Sequence, residues 1–291
     1  MCNRIEQALT DDIMRWERRR ETTENRTTIM DTGLKGKNVL ITGGSSGIGL
    51  GIASVLAQEG VNLAIASRNP DESAVKPLRD HGVEVTTIKA DVSREDDVVN
   101  MVASAIATFG TLDGYVNNAA WTWHQPITQI TLEAIENTLK TNLIGAILAC
   151  REVSRHMIKN KSGAIVIIGS TAMYTPQATE TLYRISKLGL TSMTQTLAVE
   201  LAPFGIRVNA IIPGHFVTRM TGHIPDERIE RLKQEIPLRR VGNVEEVGTM
   251  AAFFLSDKLS SYSTGSQVTV DGGLHLRPLP LSDEELLALN E

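Results

Sequence analysis

The sequence predicts an α/β protein built on one doubly wound sheet of seven parallel strands with helices on both faces. Seven short runs rich in Val and Ile alternate with longer stretches of helical periodicity. Nearly continuous apolar strands are typical of parallel sheets that are covered on both faces. A repeating β-α order closes such a sheet through right-handed crossovers and places ligands at the carboxyl ends of its strands.

The alternation of the two patterns sets the order of the elements. The strands are predicted over residues 38–42, 62–66, 84–88, 114–117, 164–169, 207–212 and 267–270. The helices are predicted to include residues 93–109, 131–158, 181–201 and 244–255. Four motifs follow predicted strands directly, so we expect them to meet at one edge of the sheet.

Length and composition favour one main domain over residues 35–275, with an extension at 1–34 and a tail at 276–291. The chain has 291 residues, 42% of them hydrophobic, which is ample for a large core. Its net charge of -5 argues against a nucleic-acid or anionic-membrane partner. No apolar stretch approaches membrane-spanning length. We therefore expect a cytoplasmic protein without a nucleic-acid or membrane partner.

The sequence predicts neither a catalytic metal nor a disulfide framework. Its six histidines are scattered and form no H-x-x-x-H pair. Cys2 and Cys150 are the only cysteines, and Cys150 falls in an apolar helical run. We expect Cys150 to be a small core residue.

A glycine-rich turn joins the first strand to the first helical stretch. Residues 42–49 read T-G-G-S-S-G-I-G, in which Gly43, Gly47 and Gly49 give the spacing T-G-x-x-x-G-x-G. Glycines permit a tight turn and let the backbone approach a pyrophosphate at the positive end of a helix. Such a string alone is more often only a turn. Its place at the start of the β-α order predicts a nucleotide site.

A second motif places Tyr183 four residues before Lys187, with Ser170 thirteen residues before the tyrosine. On a helix, the tyrosine and the lysine lie on one face, about a turn apart. An ammonium there favours the phenolate and should lower the pKa of a phenol that ordinarily titrates near ~10. Carbonyl reduction and alcohol oxidation need a proton donor and acceptor of this kind.

These motifs, taken in order, resemble the short-chain dehydrogenase/reductase family over residues 35–274. The resemblance implies a Rossmann-type fold. Ala120 departs from the family, which usually has glycine there, and we expect the added methyl to be tolerated. The motifs that carry the resemblance are residues 42–49, Asp91-Val92, Asn117-Asn118-Ala119-Ala120, Asn142, Ser170, Tyr183 with Lys187, Pro213-Gly214 with Thr218, and Val270-Asp271-Gly272-Gly273.

The resemblance implies a role for each of four catalytic residues. Tyr183 would be the general acid and base, and Lys187 would lower its pKa and hydrogen-bond the nicotinamide ribose. Ser170 would donate a hydrogen bond to the carbonyl oxygen, where negative charge develops. Asn142 would hold a water that connects Lys187 to solvent. A helix bend capped by the Asn142 side chain is the alternative.

The resemblance also implies a cofactor site along the same edge of the sheet. Asp91 would receive the adenine, Asn117 would lie near the adenine ribose, and Thr218 would lie near the carboxamide. The implied cofactor-binding residues are Gly43, Ser45, Ser46, Gly47, Ile48, Gly49, Ser67, Arg68, Asp91, Val92, Asn117, Ala119, Tyr183, Lys187, Pro213, Gly214 and Thr218.

The end of the second strand predicts a preference for NADP(H), with NAD(H) also usable. NAD-selective folds place a carboxylate ~20 residues beyond the glycine turn, but residues 67–69 here read Ser-Arg-Asn. Arg68 offers a planar, permanently charged fork that suits a phosphate. Alternatively, Arg68 stacks on the adenine and serves either cofactor. Ser46 stands where many NADP-preferring relatives carry a basic residue.

The substrate pocket is predicted from residues 121–125, 172–181 and about 215–240. Its lining is polar and suits a sugar acid, polyol or small hydroxy-ketone better than a steroid or long acyl chain. Trp121 and Trp123 could stack on a sugar face or pack under a lid. The predicted polar lining residues are His124, Gln125, Gln177, Thr179, Glu180, His215 and Arg219.

Residues 209–218 and 236–247 resemble bacterial sugar-acid and polyol dehydrogenases of the gluconate 5-dehydrogenase type. They also resemble 3-oxoacyl-carrier-protein reductases, which need a basic docking surface. Arg151, Arg155, Lys159 and Lys161 could form such a surface or only a solvated helix face. An alternative of another class is a non-catalytic nucleotide-binding sensor or scaffold. It ranks low because all four catalytic positions are present.

Further expectations concern the two ends of the chain and its oligomeric state. Ile5, Leu9, Ile13 and Trp16 recur at helical spacing. They predict either an arm that packs on a neighbouring subunit or a frayed extension, with translation that can also begin at Met30. The tail is apolar enough to cover a subunit or active-site edge. The resemblance implies a homotetramer, or a homodimer, built through the helices predicted at 131–158 and 181–201.

Overall fold

The computed structural model describes residues 31–218 and 226–276. Three predicted features therefore lie outside the described residues. They are the helical arm of the N-terminal extension, Arg219, and the apolar tail that follows Leu276.

The sheet has seven strands, all parallel, in the order β3-β2-β1-β4-β5-β6-β7. This is the predicted doubly wound architecture. Three of the strands keep both predicted boundaries, and the other four differ by one residue at one or both ends. The strands are β1 Asn38–Thr42, β2 Asn62–Ser67, β3 Val85–Lys89, β4 Gly114–Asn117, β5 Gly163–Ile168, β6 Ile206–Pro213 and β7 Gln267–Val270.

Helices fill the intervals between the strands. The helical stretch predicted over 131–158 is observed, but a π-helical segment, Lys140–Ile144, divides it into two α-helices. The α-helices are α1 Gly47–Gln58, α2 Glu72–Val75, α3 Glu95–Phe109, α4 Leu132–Leu139, α5 Gly145–Asn160, α6 Thr181–Leu201, α7 Asp226–Glu235, α8 Val244–Leu255 and α9 Asp257–Ser260. Among the described helices, none combines the length and the apolar character needed to cross a bilayer.

Two apolar layers enclose the sheet. One layer joins α3, α5 and α6 to one face, and its large members without solvent exposure include Tyr115 and Met157. The other joins α1 and α8 to the opposite face through side chains such as Ile52 and Phe254. Cys150 lies in the first layer, as predicted, and is 2% exposed. Burial on both faces explains why the strands read as continuous apolar runs.

The strand order reverses between β1 and β4, which are hydrogen-bonded neighbours although β2 and β3 come between them in the chain. In doubly wound sheets, a crevice opens outside the carboxyl ends of the strands at this point. The glycine turn follows β1, Asn118 follows β4, Ser170 follows β5 and Gly214 follows β6. The chain thus brings the predicted motifs to one edge.

Candidate active site

A cleft lies at this edge of the sheet and gathers most of the predicted site residues. The set includes three of the four predicted catalytic residues. Asp91 is the only acid among the described lining residues. The lining consists of Gly43, Ser45, Ser46, Gly47, Ile48, Ala66, Ser67, Arg68, Asn69, Ala90, Asp91, Val92, Asn118, Ala119, Ala120, Thr141, Ile168, Gly169, Ser170, Tyr183, Lys187, Pro213, Gly214 and Thr218.

The glycine turn requires its glycines for two different reasons. Gly47 has a φ of 54°, in the left-handed region that side chains disfavour. Gly49 is absent from the described cleft lining, and a Cβ atom there would stand 2.2 Å from the carbonyl oxygen of Gly43. Bare backbone therefore lines the cleft where α1 begins. This is the cradle that a dinucleotide pyrophosphate needs, and the residues present fit that cofactor.

Asn118 holds the glycine turn against the end of β4. Its Nδ2 donates to the carbonyl oxygens of Thr42 and Gly43 at 3.0 and 3.1 Å. Its own backbone N–H donates to Thr42 Oγ1. Asn117, the predicted ribose neighbour, is absent from the described cleft lining. Its side chain is buried and accepts a hydrogen bond from the Tyr115 hydroxyl at 3.0 Å.

The end of β2 forms the part of the cleft that was predicted to read the adenosine. Ser45 in the glycine turn and Ser67 at the end of β2 approach each other, with 3.1 Å between their hydroxyl oxygens. Arg68 and Asn69 follow directly and line the cleft. Asp91 accepts hydrogen bonds at Oδ1 from the backbone and hydroxyl of Ser93. These bonds fix the Asp91 carboxylate at the end of β3.

Tyr183 and Ser170 face the cleft together, although they come from different elements. Ser170 caps the short turn after β5, where its Oγ accepts from the backbone N–H of Ala172. Burial raises the pKa of Tyr183 above its ordinary value, the hydrogen bond with Ser170 lowers it, and the charge of Glu180 raises it. The expectation of a depressed phenol pKa is therefore wrong for this structure, because desolvation dominates.

Lys187 is buried, with 2% exposure. Its Nζ donates to the carbonyl oxygen of Ile168 at 2.9 Å and lies 5.6 Å from the centre of the Tyr183 ring. Burial lowers the pKa of Lys187 to about 8. The ammonium is thus held at the end of β5, beneath the phenol. Its desolvation there raises the free energy of the folded state.

Asn142 lies in the π-helical segment and is fully buried. Its Oδ1 accepts from the Trp121 backbone N–H at 2.7 Å, and its Nδ2 donates to the Trp121 carbonyl and to Ser186 Oγ. Both amide hydrogens are therefore occupied. This geometry favours the alternative of a bend capped by the side chain. Thr141, rather than Asn142, lines the cleft.

Two loops, residues 121–125 and 172–181, carry the predicted polar and aromatic lining of the substrate pocket. The rings of Trp121 and Trp123 are 5.1 Å apart and tilted by 44°. His124 Nδ1 lies 3.8 Å from Glu180 Oε1. The backbone N–H of Gln125 donates to the Thr179 carbonyl at 3.0 Å, which joins the two loops.

Several cleft residues have no place in the predicted set. Most of them are small residues at or just beyond the ends of strands. Once the strands were assigned, this position alone could have predicted that they line the cleft. Asn118 was also visible as the second residue of the Asn-Asn pair. Thr141 carried no signal, because its place depends on the π-helical segment. The additional residues are Ala66, Asn69, Ala90, Asn118, Ala120, Thr141, Ile168 and Gly169.

Within residues 31–218 and 226–276, no three His, Cys, Asp or Glu side chains cluster as a metal would require.

Known proteins are similar to this chain in fold and sequence over most of its length. A family model described as enoyl-(acyl carrier protein) reductase matches residues 43–275. A 3-oxoacyl-acyl-carrier-protein reductase of Staphylococcus epidermidis is 34% identical over 243 residues, which are 82% of this chain and 99% of that protein.

Two solved structures show the same likeness. A xylitol dehydrogenase with bound NAD+ is 31% identical, with a TM-score of 0.76, and the match covers 82% of this chain and 99% of that one. A gluconate 5-dehydrogenase from Burkholderia cenocepacia, solved with NADP and tartrate, is 29% identical. Its TM-score is 0.77, and the match covers 83% of this chain and 96% of that one.

The chain belongs to the short-chain dehydrogenase/reductase family. It is an NAD(P)-dependent oxidoreductase that acts on CH–OH groups. The prediction of an enzyme is confirmed over the alternative of a non-catalytic sensor or scaffold.

Proposed function

We propose that this oxidoreductase interconverts a small polar alcohol and its ketone, such as a sugar acid, a polyol or a hydroxy-ketone. The observation that carries the proposal is the polar surface beside Tyr183, where the side chains of Glu180 and His124 face each other. A partly buried carboxylate is costly to desolvate further against an apolar acyl chain, whereas substrate hydroxyl groups can hydrogen-bond it.

Ser170 and Tyr183 have the main chemical roles in this proposal. The cofactor supplies or accepts the hydride. Tyr183 protonates the substrate oxygen during reduction and removes the hydroxyl proton during oxidation. Ser170 donates a hydrogen bond to the same oxygen, where negative charge develops. The raised pKa of the Tyr183 phenol keeps the proton in place before reduction.

Lys187 and Asn142 support these two residues. Lys187 places positive charge near the phenol and reaches the cleft, where it would hydrogen-bond the nicotinamide ribose. Asn142 is a positioning residue, because it ties the π-helical segment to Trp121 and to Ser186, the neighbour of Lys187. The predicted water between Lys187 and solvent would need a hydrogen-bond partner other than the side-chain amide hydrogens of Asn142, which already donate to Trp121 and Ser186.

We propose that the cofactor site prefers NADP(H). The predicted cofactor residues that line the cleft would hold the dinucleotide along it, with Arg68 at the adenosine 2′-phosphate. Residues 67–69 carry no acid to repel that phosphate. Asp91, the single acid of the described lining, follows β3 and already accepts two hydrogen bonds from Ser93.

Replacing Arg68 with Ala should reduce kcat/KM for NADPH by ~10- to 100-fold, because a charge-assisted bond to phosphate is lost. The value for NADH should change less than about threefold, since NADH lacks the phosphate. Steady-state kinetics with both cofactors measure the effect. Lys89→Ala removes the same charge at the exposed end of β3 and serves as the control. Equal losses with the two cofactors would mean that Arg68 does not read the phosphate.

Reduction of an acyl-carrier-protein thioester is the second candidate, because the Staphylococcus relative carries that name. The proposed basic docking surface is partly neutralised. Arg151 lies 2.7 Å from Glu95 and from Glu152, and Arg155 lies 2.9 Å from Glu152. These exposed ion pairs contribute little to stability, but they weaken the positive potential that an acidic carrier protein would meet.

We also propose a homotetramer, or a homodimer, and a cytoplasmic location. Exposed apolar side chains support the assembly, since Ile144 at the end of the π-helical segment, Ile147 in the first turn of α5, and Ile185 and Leu188 on α6 are 40–51% exposed. Burial of such side chains against a second copy would stabilise the assembly. The location remains a prediction.

A substrate panel tests the proposed activity. With NADPH in excess, the enzyme should oxidise its cofactor in the presence of a hydroxy-ketone, a ketose or a keto-sugar acid. It should do so only weakly with an acetoacetyl thioester. The nicotinamide absorbance reports each rate. Strong thioester reduction with nothing on the polar ketones would reverse the ranking of the two functions.

A further inference from the structure

Glu180 stands immediately before α6 and three residues before Tyr183, so the two side chains lie about one turn apart. Acidic side chains at this position commonly accept a hydrogen bond from a helix N–H. Glu180 makes no such capping bond. Its charge contributes to the raised pKa of the Tyr183 phenol, so the carboxylate lies within electrostatic range of the reacting atoms.

The carboxylate is largely removed from water yet keeps free acceptor positions. Its side chain is 15% exposed. Among the described residues its ion-pair neighbour is His124, whose Nδ1 lies 3.8 Å from Glu180 Oε1, beyond hydrogen-bond distance. His124 itself is 2.9 Å from Thr122 Oγ1 through Nε2. A partly desolvated carboxylate of this kind gains more from a hydroxyl donor than one in water does.

The backbone around Glu180 is held in a strained conformation. Thr179 has a φ of 73°, which is unfavourable for a side chain with a branched Cβ. The hydrogen bond from the Gln125 N–H to the Thr179 carbonyl holds this turn against the loop after β4. Strained turns persist where the surrounding structure fixes them, and here the fixed turn leads directly into Glu180 and α6.

A second acceptor lies in the same pair of loops. Gln125 Oε1 is one of few buried side-chain oxygens in the described part of the chain that lack a hydrogen-bond partner. Buried polar atoms are seldom left unpaired, and an unpaired acceptor costs free energy until a donor arrives. Two unused acceptors therefore lie in the loops beside the proton-transferring tyrosine.

We infer that Glu180 is a specificity-determining residue that accepts a hydrogen bond from a substrate hydroxyl on the carbon next to the reacting carbon. The inference rests on the proposed function and narrows it to 2-hydroxy-ketones and vicinal diols. A ketone without the neighbouring hydroxyl leaves the Glu180 carboxylate desolvated and unpaired, which is a larger penalty than the loss of one contact.

Acetoin and 2-butanone form a matched pair of probes, because they differ only in the neighbouring hydroxyl. The wild-type enzyme should favour acetoin in kcat/KM, and Glu180→Leu should reduce the acetoin to 2-butanone ratio by ~10- to 100-fold. Glu180→Gln keeps an acceptor oxygen, so it should lower the acetoin to 2-butanone ratio less than Glu180→Leu does. Any change in the pKa of Tyr183 acts on both ketones and cancels in the ratio.

Glu200→Gln is the matched control, because Glu200 is exposed near the far end of α6. Its ratio should equal that of the wild type. Thermal unfolding and NADPH binding of each variant establish that the fold and the cofactor site persist. A preference for acetoin that survives in Glu180→Leu would overturn the inference and leave the proposed function standing. Activity on acetoacetyl thioesters alone, with none on acetoin, would overturn both.

Discussion

Tyr183→Phe should lower turnover by at least ~10²-fold, because general acid–base groups contribute ~10²- to 10⁴-fold to such reactions. The ring and its packing are kept, so the variant loses the proton and little else. NADPH binding should remain close to that of the wild type. Single-turnover kinetics at saturating cofactor, together with a binding titration, measure the two effects separately.

Tyr262→Phe provides the control for the loss of a hydroxyl, because Tyr262 is fully exposed. It should retain wild-type turnover. A Tyr183→Phe enzyme that keeps more than roughly a tenth of the wild-type rate would show that another group transfers the proton.

Lys187→Met should reduce both turnover and cofactor affinity, since Lys187 lies between the phenol and the predicted position of the nicotinamide ribose. Methionine fills most of the same volume without the charge. We expect turnover to fall by ~10²-fold or more, and the Kd for NADPH to rise. Unchanged affinity for NADPH would remove the ribose contact from the assignment.

The same substitution should change how stability depends on pH. Burial lowers the pKa of Lys187 to about 8 from an ordinary 10.5, so the unfolded chain binds more protons between these values. The free energy of unfolding should therefore rise with pH in this interval. Between pH 7 and pH 9.5 the Lys187 contribution is about 2 kcal/mol. Above that interval, ionisation of tyrosines in the unfolded chain acts in the opposite direction.

Chemical denaturation of the cofactor-free protein at the two pH values measures this contribution as the difference between wild type and Lys187→Met. The difference should change by about 2 kcal/mol, with the wild type gaining relative stability at the higher pH. A difference that is the same at both pH values would mean that Lys187 is not desolvated in the folded protein.

The fold was largely predictable because its signals are local. The strands Asn38–Thr42 and Gly114–Asn117 and the helix Thr181–Leu201 begin and end where the sequence predicts. The interruption at Lys140–Ile144 was not predictable, because it accompanies contacts between Asn142 and Trp121, 21 residues apart in the chain. Such tertiary contacts leave no periodic pattern in the sequence.

The placement of the two asparagines at the end of β4, Asn117 and Asn118, could have been derived more closely. Side chains alternate between the two faces of a strand, so Tyr115 and Asn117 share a face. Their hydrogen bond is the consequence. Asn118 is the residue that reaches the glycine turn. The raised pKa of Tyr183, in contrast, depends on the depth of burial, which no motif encodes.

The most direct test of the proposed function is a competition between the two candidate substrates. Equal concentrations of acetoin and an acetoacetyl thioester compete for the enzyme with limiting NADPH, and the product ratio gives the ratio of their kcat/KM values. We predict that the diol formed from acetoin exceeds the 3-hydroxyacyl thioester by at least ~10-fold. An excess of the 3-hydroxyacyl thioester would contradict the proposed substrate class.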